Sequence, residues 1–294
     1  MLRACLSRDH LQSFYQNFDR IITETSIYSD SLESRSSEMK RMIFFRTSVT
    51  WFGAVISFAG IIFQSVTDFN KDFAAGITNP FPQRNIAALL FFSGLHLWET
   101  GAWLFPILLQ STLFTFLGNS FSTLNTNLIR IMEDNDKRIS QNIKDLRRKH
   151  LQLCKTVAIL EQDTSYLLTG TYVTNVFLIC FIVYQMVTAG SWPIYSYVSF
   201  SSWVLMNVTV ILTISHTAAK VNEKAHSHLE YLYDVDMSQA SPFESLELQM
   251  FLSKLNGPPL GFTVLGFVTI TKEFILTLGG IIMTYFFLLL QFKL

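Results

Sequence analysis

Five apolar stretches recur along this chain, each long enough to cross a bilayer, and they narrow its fold more than any other feature. A spanning helix needs about 20 mostly apolar residues, because about 30 Å of hydrocarbon is crossed at about 1.5 Å per residue. The stretches run approximately from Met42 to Val66, Ile86 to Leu117, Ser165 to Thr188, Tyr197 to His216, and Gly266 to Phe292. The expected fold class is all-α, a polytopic membrane helical bundle of five spans. Charge is correspondingly sparse, at 15% of residues, where soluble domains carry about 25%. The 22 basic and 22 acidic residues cancel, which leaves no surplus to neutralise phosphates and speaks against a nucleic-acid partner.

The basic residues orient the set, since cytoplasmic flanks retain Lys and Arg. Residues 1–41 hold six, Arg130 to Lys155 eight, and Lys220 to Lys254 three. The alternate side holds Lys71, Arg84 and Lys293. The N-terminus is therefore expected inside and the C-terminus outside, a topology that counts against a G-protein-coupled receptor. The first 40 residues carry Arg3, Arg8, Asp9 and Arg20 without an apolar run, so no cleaved secretory signal is expected.

Most of the mass beyond the bilayer is expected on the inner side. Leu11, Phe14, Tyr15, Phe18, Ile21 and Ile22 recur at helical spacing, so residues 1–41 read as an amphipathic helix and loop preceding a membrane domain over 42–294. Helical spacing continues past Leu117 through Leu124, Leu128, Ile131 and Met132, with Lys137 to Lys149 as a charged turn and Leu151 to Leu160 as the return. The cluster Lys144, Arg147, Arg148 and Lys149 reads as a solvated face. Ala218 to Tyr233 extends the fourth span, and Phe243 to Leu255 forms another helix that Pro258 and Pro259 stop. Residues 118–164 and 219–262 thus predict an inner helical bundle.

Three cysteines, Cys5, Cys154 and Cys180, are too scattered for a disulfide framework. His216, His226 and His228 lack the nearby ligands that a metal site needs, so no metal or cofactor is expected. The sequon Asn207-Val208-Thr209 falls within a span. No nucleophile motif, phosphate loop or acid pair suggests an enzyme.

The last span closes with Thr284-Tyr285, five apolar residues, then Gln291-Phe292. This resembles the signature ending the last helix of arthropod gustatory receptors. The resemblance continues through Phe243-Glu244-Ser245-Leu246-Glu247-Leu248-Gln249, Gly261-Phe262 and Gly266-Phe267, and through the topology. It implies a ligand-gated cation channel of four subunits in the plasma membrane. The last helix would line the pore, and the inner helices, around Leu246, Leu248, Met250 and Leu252, would make the main subunit contact as a homo- or hetero-tetramer. Family members have seven spans, and these five look like the third to the seventh.

Glu273, Thr277, Gly280, Thr284, Leu288 and Gln291 are spaced 4, 3, 4, 4 and 3 along one helix face. Polar groups in hydrocarbon are costly unless they face water or protein, so the stripe reads either as a lumen or as packing between helices. The resemblance favours the lumen, with Leu288 as a narrow apolar ring and Glu273 at the inner mouth. A pocket for a small molecule is expected among Phe91, His96, Trp98, Glu99, Tyr184, Tyr195, Tyr197 and Trp203, aromatic surface with a few polar contacts. Interfacial anchoring is the alternative reading of the same aromatics.

Overall fold

The computed structural model describes residues 86–134, 143–188, 194–227, 229–235 and 241–291, together with separate positions between Arg41 and Ala59 that are helical. The expected amphipathic helix through Leu11 to Ile22, most of the first span, the loop 189–193 and Phe292 lie outside the described residues. Three long helices form the body: α1 (Ile86–Asp134), α2 (Ile143–Thr188) and α3 (Ile194–His226). A short α4 (Leu229–Tyr233) and α5 (Pro242–Leu255) follow, then a hairpin of β1 (Thr263–Val264) and β2 (Val268–Thr269), and finally α6 (Lys272–Gln291). Among the described residues, three helices are long and apolar enough to cross a membrane, within Leu97–Ile131, Ile143–Thr188 and Ser196–Tyr233.

At 49 and 46 residues, α1 and α2 reach about 70 Å, more than twice the hydrocarbon thickness. Each therefore continues far beyond the bilayer, as the unbroken spacing predicts. The charged turn is shorter than expected, because helix α2 already starts at Ile143: Ile143, Leu146 and His150 give the first turns a buried stripe. The core sits at this loop-rich end. Phe114, Leu117, Phe121 and Leu128 of α1 meet Leu153, Val157 and Leu160 of α2 and Ile214, Ala218, Val221 and Ala225 of α3. The residues recur every three or four positions, which aligns one stripe per helix. Toward the other end, Phe91, Trp98, Phe105, Phe177, Phe181 and Val198 are exposed.

Helix α5 packs on the start of α2. Ser241 caps it through a reciprocal pair: its Oγ accepts the Glu244 N–H at 3.3 Å while Glu244 Oε2 accepts the Ser241 N–H at 2.8 Å. That Ser241 N–H, and the Ser241 hydroxyl donating to the same Oε2 at 2.9 Å, hold the exposed Glu244 carboxyl below its ordinary range. Leu248, Phe251 and Leu255 are buried, Arg147 Nε pairs with Glu247 Oε2 at 2.5 Å, and Lys144 Nζ stands 5.8 Å from the Phe243 ring centroid. Part of the basic cluster thus also docks α5, while Lys144 and Arg148 stay exposed as a solvated face does.

Chain entry into the last span differs from expectation. Gly266 is not helical: it and Leu265 take φ of 73° and 56° in the hairpin turn, and the helix opens six residues later at Lys272. The turn is closed by the Phe267 N–H bonding Val264 O at 3.1 Å, and the Leu265 N–H donates to Thr169 Oγ1 at 2.9 Å. Thr263 also donates its hydroxyl to Glu161. Apolar residues alone looked like helix here; the pairing of Thr263 with Thr269 and Val264 with Val268 decides otherwise.

Candidate functional site

Helix α6 is set in place at its first turn. Phe262, fully buried, stacks on Phe114 with centroids 3.8 Å apart, and Ile270 N–H returns to Phe262 O at 2.8 Å. Thr271 Oγ1 accepts the Phe274 N–H at 3.3 Å, as an N-cap residue does. Lys272 Nζ then meets Glu223 Oε2 of α3 at 2.9 Å, and this lysine holds the Glu223 carboxyl below its usual range.

From there one stripe of α6, Phe274, Leu278 and Ile282, packs against the core, with the Phe274 ring edge-on to Tyr172 at 5.5 Å. The polar stripe lies elsewhere on the helix, about 120° away at about 100° per residue. Glu273, Thr277, Gly280, Thr284, Leu288 and Gln291 are all exposed. The Thr277 hydroxyl donates to Glu273 O at 3.0 Å and that of Thr284 to Gly280 O at 2.8 Å, so each hydroxyl proton is used within the helix. Among the described residues, nothing stands within 4 Å of where a Cβ would sit on Gly279 or Gly280. The same openness extends to Leu276, Met283, Tyr285 and Phe287, so exposure covers more of the helix than the polar stripe.

The expected pocket residues differ in exposure. Phe91, Trp98, Glu99 and Tyr184 are exposed, Tyr197 and Trp203 are half-buried, and the side chains of His96 and Tyr195 lie outside the described residues. The structure instead buries polar side chains that periodicity did not single out. Gln110 and Ser111 of α1, Tyr172 and Asn175 of α2, and Asn207 and Ser215 of α3 are all inside the bundle. Tyr172 Oη and Ser215 Oγ are 2.6 Å apart, Gln110 Nε2 donates to Thr164 O at 3.5 Å, and Asn175 Nδ2 donates to Thr171 O at 2.7 Å. Asn207, inside its span as expected for the sequon, donates to Trp203 O at 2.8 Å. A usable signal was present, since Gln and Asn within apolar spans are costly without a partner.

At the loop-rich end, His150 is buried between Phe121 and Phe251 with ring centroids 5.6 and 5.2 Å away. Its Nε2 lies 3.1 Å from Ala225 O and its Nδ1 3.5 Å from Cys154 Sγ. Burial pushes the Cys154 thiol up to about 11, so it stays protonated and slow to react. Of the inner apolar residues expected at a subunit contact, Leu248 is buried within the chain, whereas Leu246 and Met250 are exposed on a face shared with Phe243.

The model of the 7tm chemosensory receptor family matches residues 1–294, the whole chain. The chain belongs to that family. Members of this family are membrane-spanning receptors, not enzymes. A Drosophila melanogaster relative, the gustatory receptor for sugar taste 64a, is 24% identical over 148 residues, 50% of this receptor and 31% of the relative. The match thus spans about a third of the length of that curated relative. Two structures of the insect olfactory receptor OR5 from Machilis hrabei share the fold. The complex with eugenol superposes with a TM-score of 0.67 at 14% identity, covering 99% of this receptor and 78% of that chain. The other gives 0.63 at 15% identity with the same coverage.

Proposed function

We propose that this receptor is a subunit of a ligand-gated, non-selective cation channel that detects small-molecule tastants at the plasma membrane. The carrying observation is the open stripe of α6 in a member of the chemosensory receptor family. Its hydroxyls are satisfied within the helix, and its remaining surface awaits water or a neighbouring subunit. Four such helices would enclose a lumen with Thr277, Gly280, Thr284 and Gln291 along it. Leu288 would be the apolar ring that closes by excluding water, and Glu273 would favour cations at the inner mouth. The exposed face of Phe243, Leu246 and Met250 supplies the contact for a homo- or hetero-tetramer with related receptors. Residues 118–164 and 219–262 would then form the cytoplasmic assembly, and residues 1–41 a cytoplasmic segment preceding the channel domain.

The ligand would be small and organic, held by Phe91, Trp98, Glu99, Tyr184, Tyr197 and Trp203 and adjoining residues of α1, α2 and α3. One of the similar structures holds eugenol, and the curated relative is named for sugar taste. A second reading, a non-conducting or regulatory partner of such receptors, draws on the exposure of Phe91 and Trp98 among the described residues.

Cysteine accessibility tests the reading. Thr284→Cys, Leu288→Cys and Gln291→Cys should be modified by water-soluble reagents faster when the channel is open, while Leu278→Cys, on the packed stripe, should not react. Native Cys154 is buried and adds little background. Equal, state-independent reaction on the two stripes would assign the polar stripe to packing. Recording the chain alone and beside a related receptor separates a conducting subunit from a modifier.

A further inference from the structure

Residues 256–260 join α5 to the hairpin and so set the position of all that follows, α6 included. Side chains of α3 hold this linker. Asn222 Nδ2 donates to Leu260 O at 3.0 Å, and Gly261 runs so close that a Cβ there would stand 3.2 Å from Thr269 Cγ2 and 3.5 Å from Asn222 Cβ. His226, the last residue of α3, binds at both ring nitrogens: Nδ1 lies 2.8 Å from Leu255 O, and Nε2 accepts the Leu260 N–H at 3.0 Å.

A carbonyl oxygen can only accept and an amide N–H can only donate. These two contacts therefore select the neutral imidazole with its proton on Nδ1. A second proton would sit on Nε2, pointing at the Leu260 N–H across the same 3.0 Å gap. The bond would be lost and two donors would face each other.

We propose that His226 is a proton-sensitive pin: neutral, it fastens the linker 256–260 to α3; protonated, it releases the linker and with it the anchorage of α6. Titratable and charged groups stand around it on several elements. From α2, buried His150 lies near enough to interact with both His226 and Lys254 of α5. On α3 itself stand Lys224 and Glu223, and Lys272 of α6 already engages that carboxylate. Tyr233 of α4 receives Asn256 at 2.8 Å, and from α1 the uncharged Asn125 donates to Ser227 at 3.1 Å. The release follows from the hydrogen-bond geometry, while its effect on gating rests on the channel reading, so the test reads the linker itself.

Hydrogen exchange on the full chain in detergent, corrected for the intrinsic pH dependence of exchange, would follow the Leu260 amide at about pH 8 and about pH 5.5, either side of the histidine range. Pro258 and Pro259 carry no amide, which simplifies the peptide. Protection should fall roughly tenfold on acidification, the scale of one lost hydrogen bond. It should stay level in His226→Gln, whose side chain both donates and accepts but does not titrate, and be low at both pH values in His226→Ala. Equal protection of the unmodified chain at the two pH values would overturn the proposal. So would the same fall in His226→Gln, which would place the response on His150 or another group.

Discussion

The Tyr172 hydroxyl stands 2.6 Å from Ser215 Oγ, and through this pair α2 is tied to α3 deep in the bundle while the Tyr172 ring supports Phe274 of α6. Tyr172→Phe keeps the ring but strands the buried Ser215 hydroxyl, and should cost about 1 kcal/mol in thermal unfolding of the purified chain. Ser215→Ala added to it should cost little more, because the partner is already gone. Tyr172→Ala should cost about 3 kcal/mol or more by opening a cavity beneath α6.

Arg147 and Glu247 make a second test, because Glu247 is buried where α5 docks on α2. Arg147→Met should destabilise by about 3 kcal/mol, since it leaves an uncompensated buried carboxylate. Replacing both residues with Met should recover most of that loss. Proteolysis of the α5 segment is the readout, and additive losses in the double variant would count against pairing.

His150 predicts a pH dependence. Burial, and more weakly His226 and Lys254, hold its pKa below the ordinary imidazole value against the raising effect of the Ala225 carbonyl. In the window between the folded value and the ordinary one, the unfolded chain binds more protons. Stability is therefore present in full above the ordinary value and declines as pH falls below it toward the folded value. His150→Gln should flatten that decline in unfolding curves recorded between about pH 7.5 and about pH 5.

Leu265 occupies the left-handed region at φ 56°, which costs a branched side chain about 1 kcal/mol. Leu265→Asn should relieve this and raise stability by about that amount in the isolated chain. A loss instead would mean that the exposed Leu265 side chain has a partner in the assembled receptor.

Leu288→Ser should raise the current at rest in cells expressing the receptor, alone or with a related subunit, because a polar ring is easier to wet than an apolar one. An unchanged resting current with normal surface expression would remove Leu288 from the gate.

Local chemistry carried much of the architecture. The unbroken spacing from Leu117 to Met132 and the two prolines after Leu255 each act within a few residues, and the helices they imply are present. The stripe on α6 was legible for the same reason, being a matter of helical period along one element. The hairpin before it was not, because Gly266-Phe267 continues an apolar run and only the cross-strand pairing marks it as a turn.

Partnership between distant segments belonged to the tertiary structure alone. Sequence established that the chain is a membrane helical bundle with long extensions, since hydropathy and helical period are properties of neighbouring residues. It could not say that Lys144 and Arg147 dock α5, that Leu248 turns inward while Leu246 and Met250 stay exposed, or that His226 grips a linker 34 residues away. Each of those depends on where one helix lies against another, and the free energy of that choice comes from burial and hydrogen bonds formed only after the helices meet.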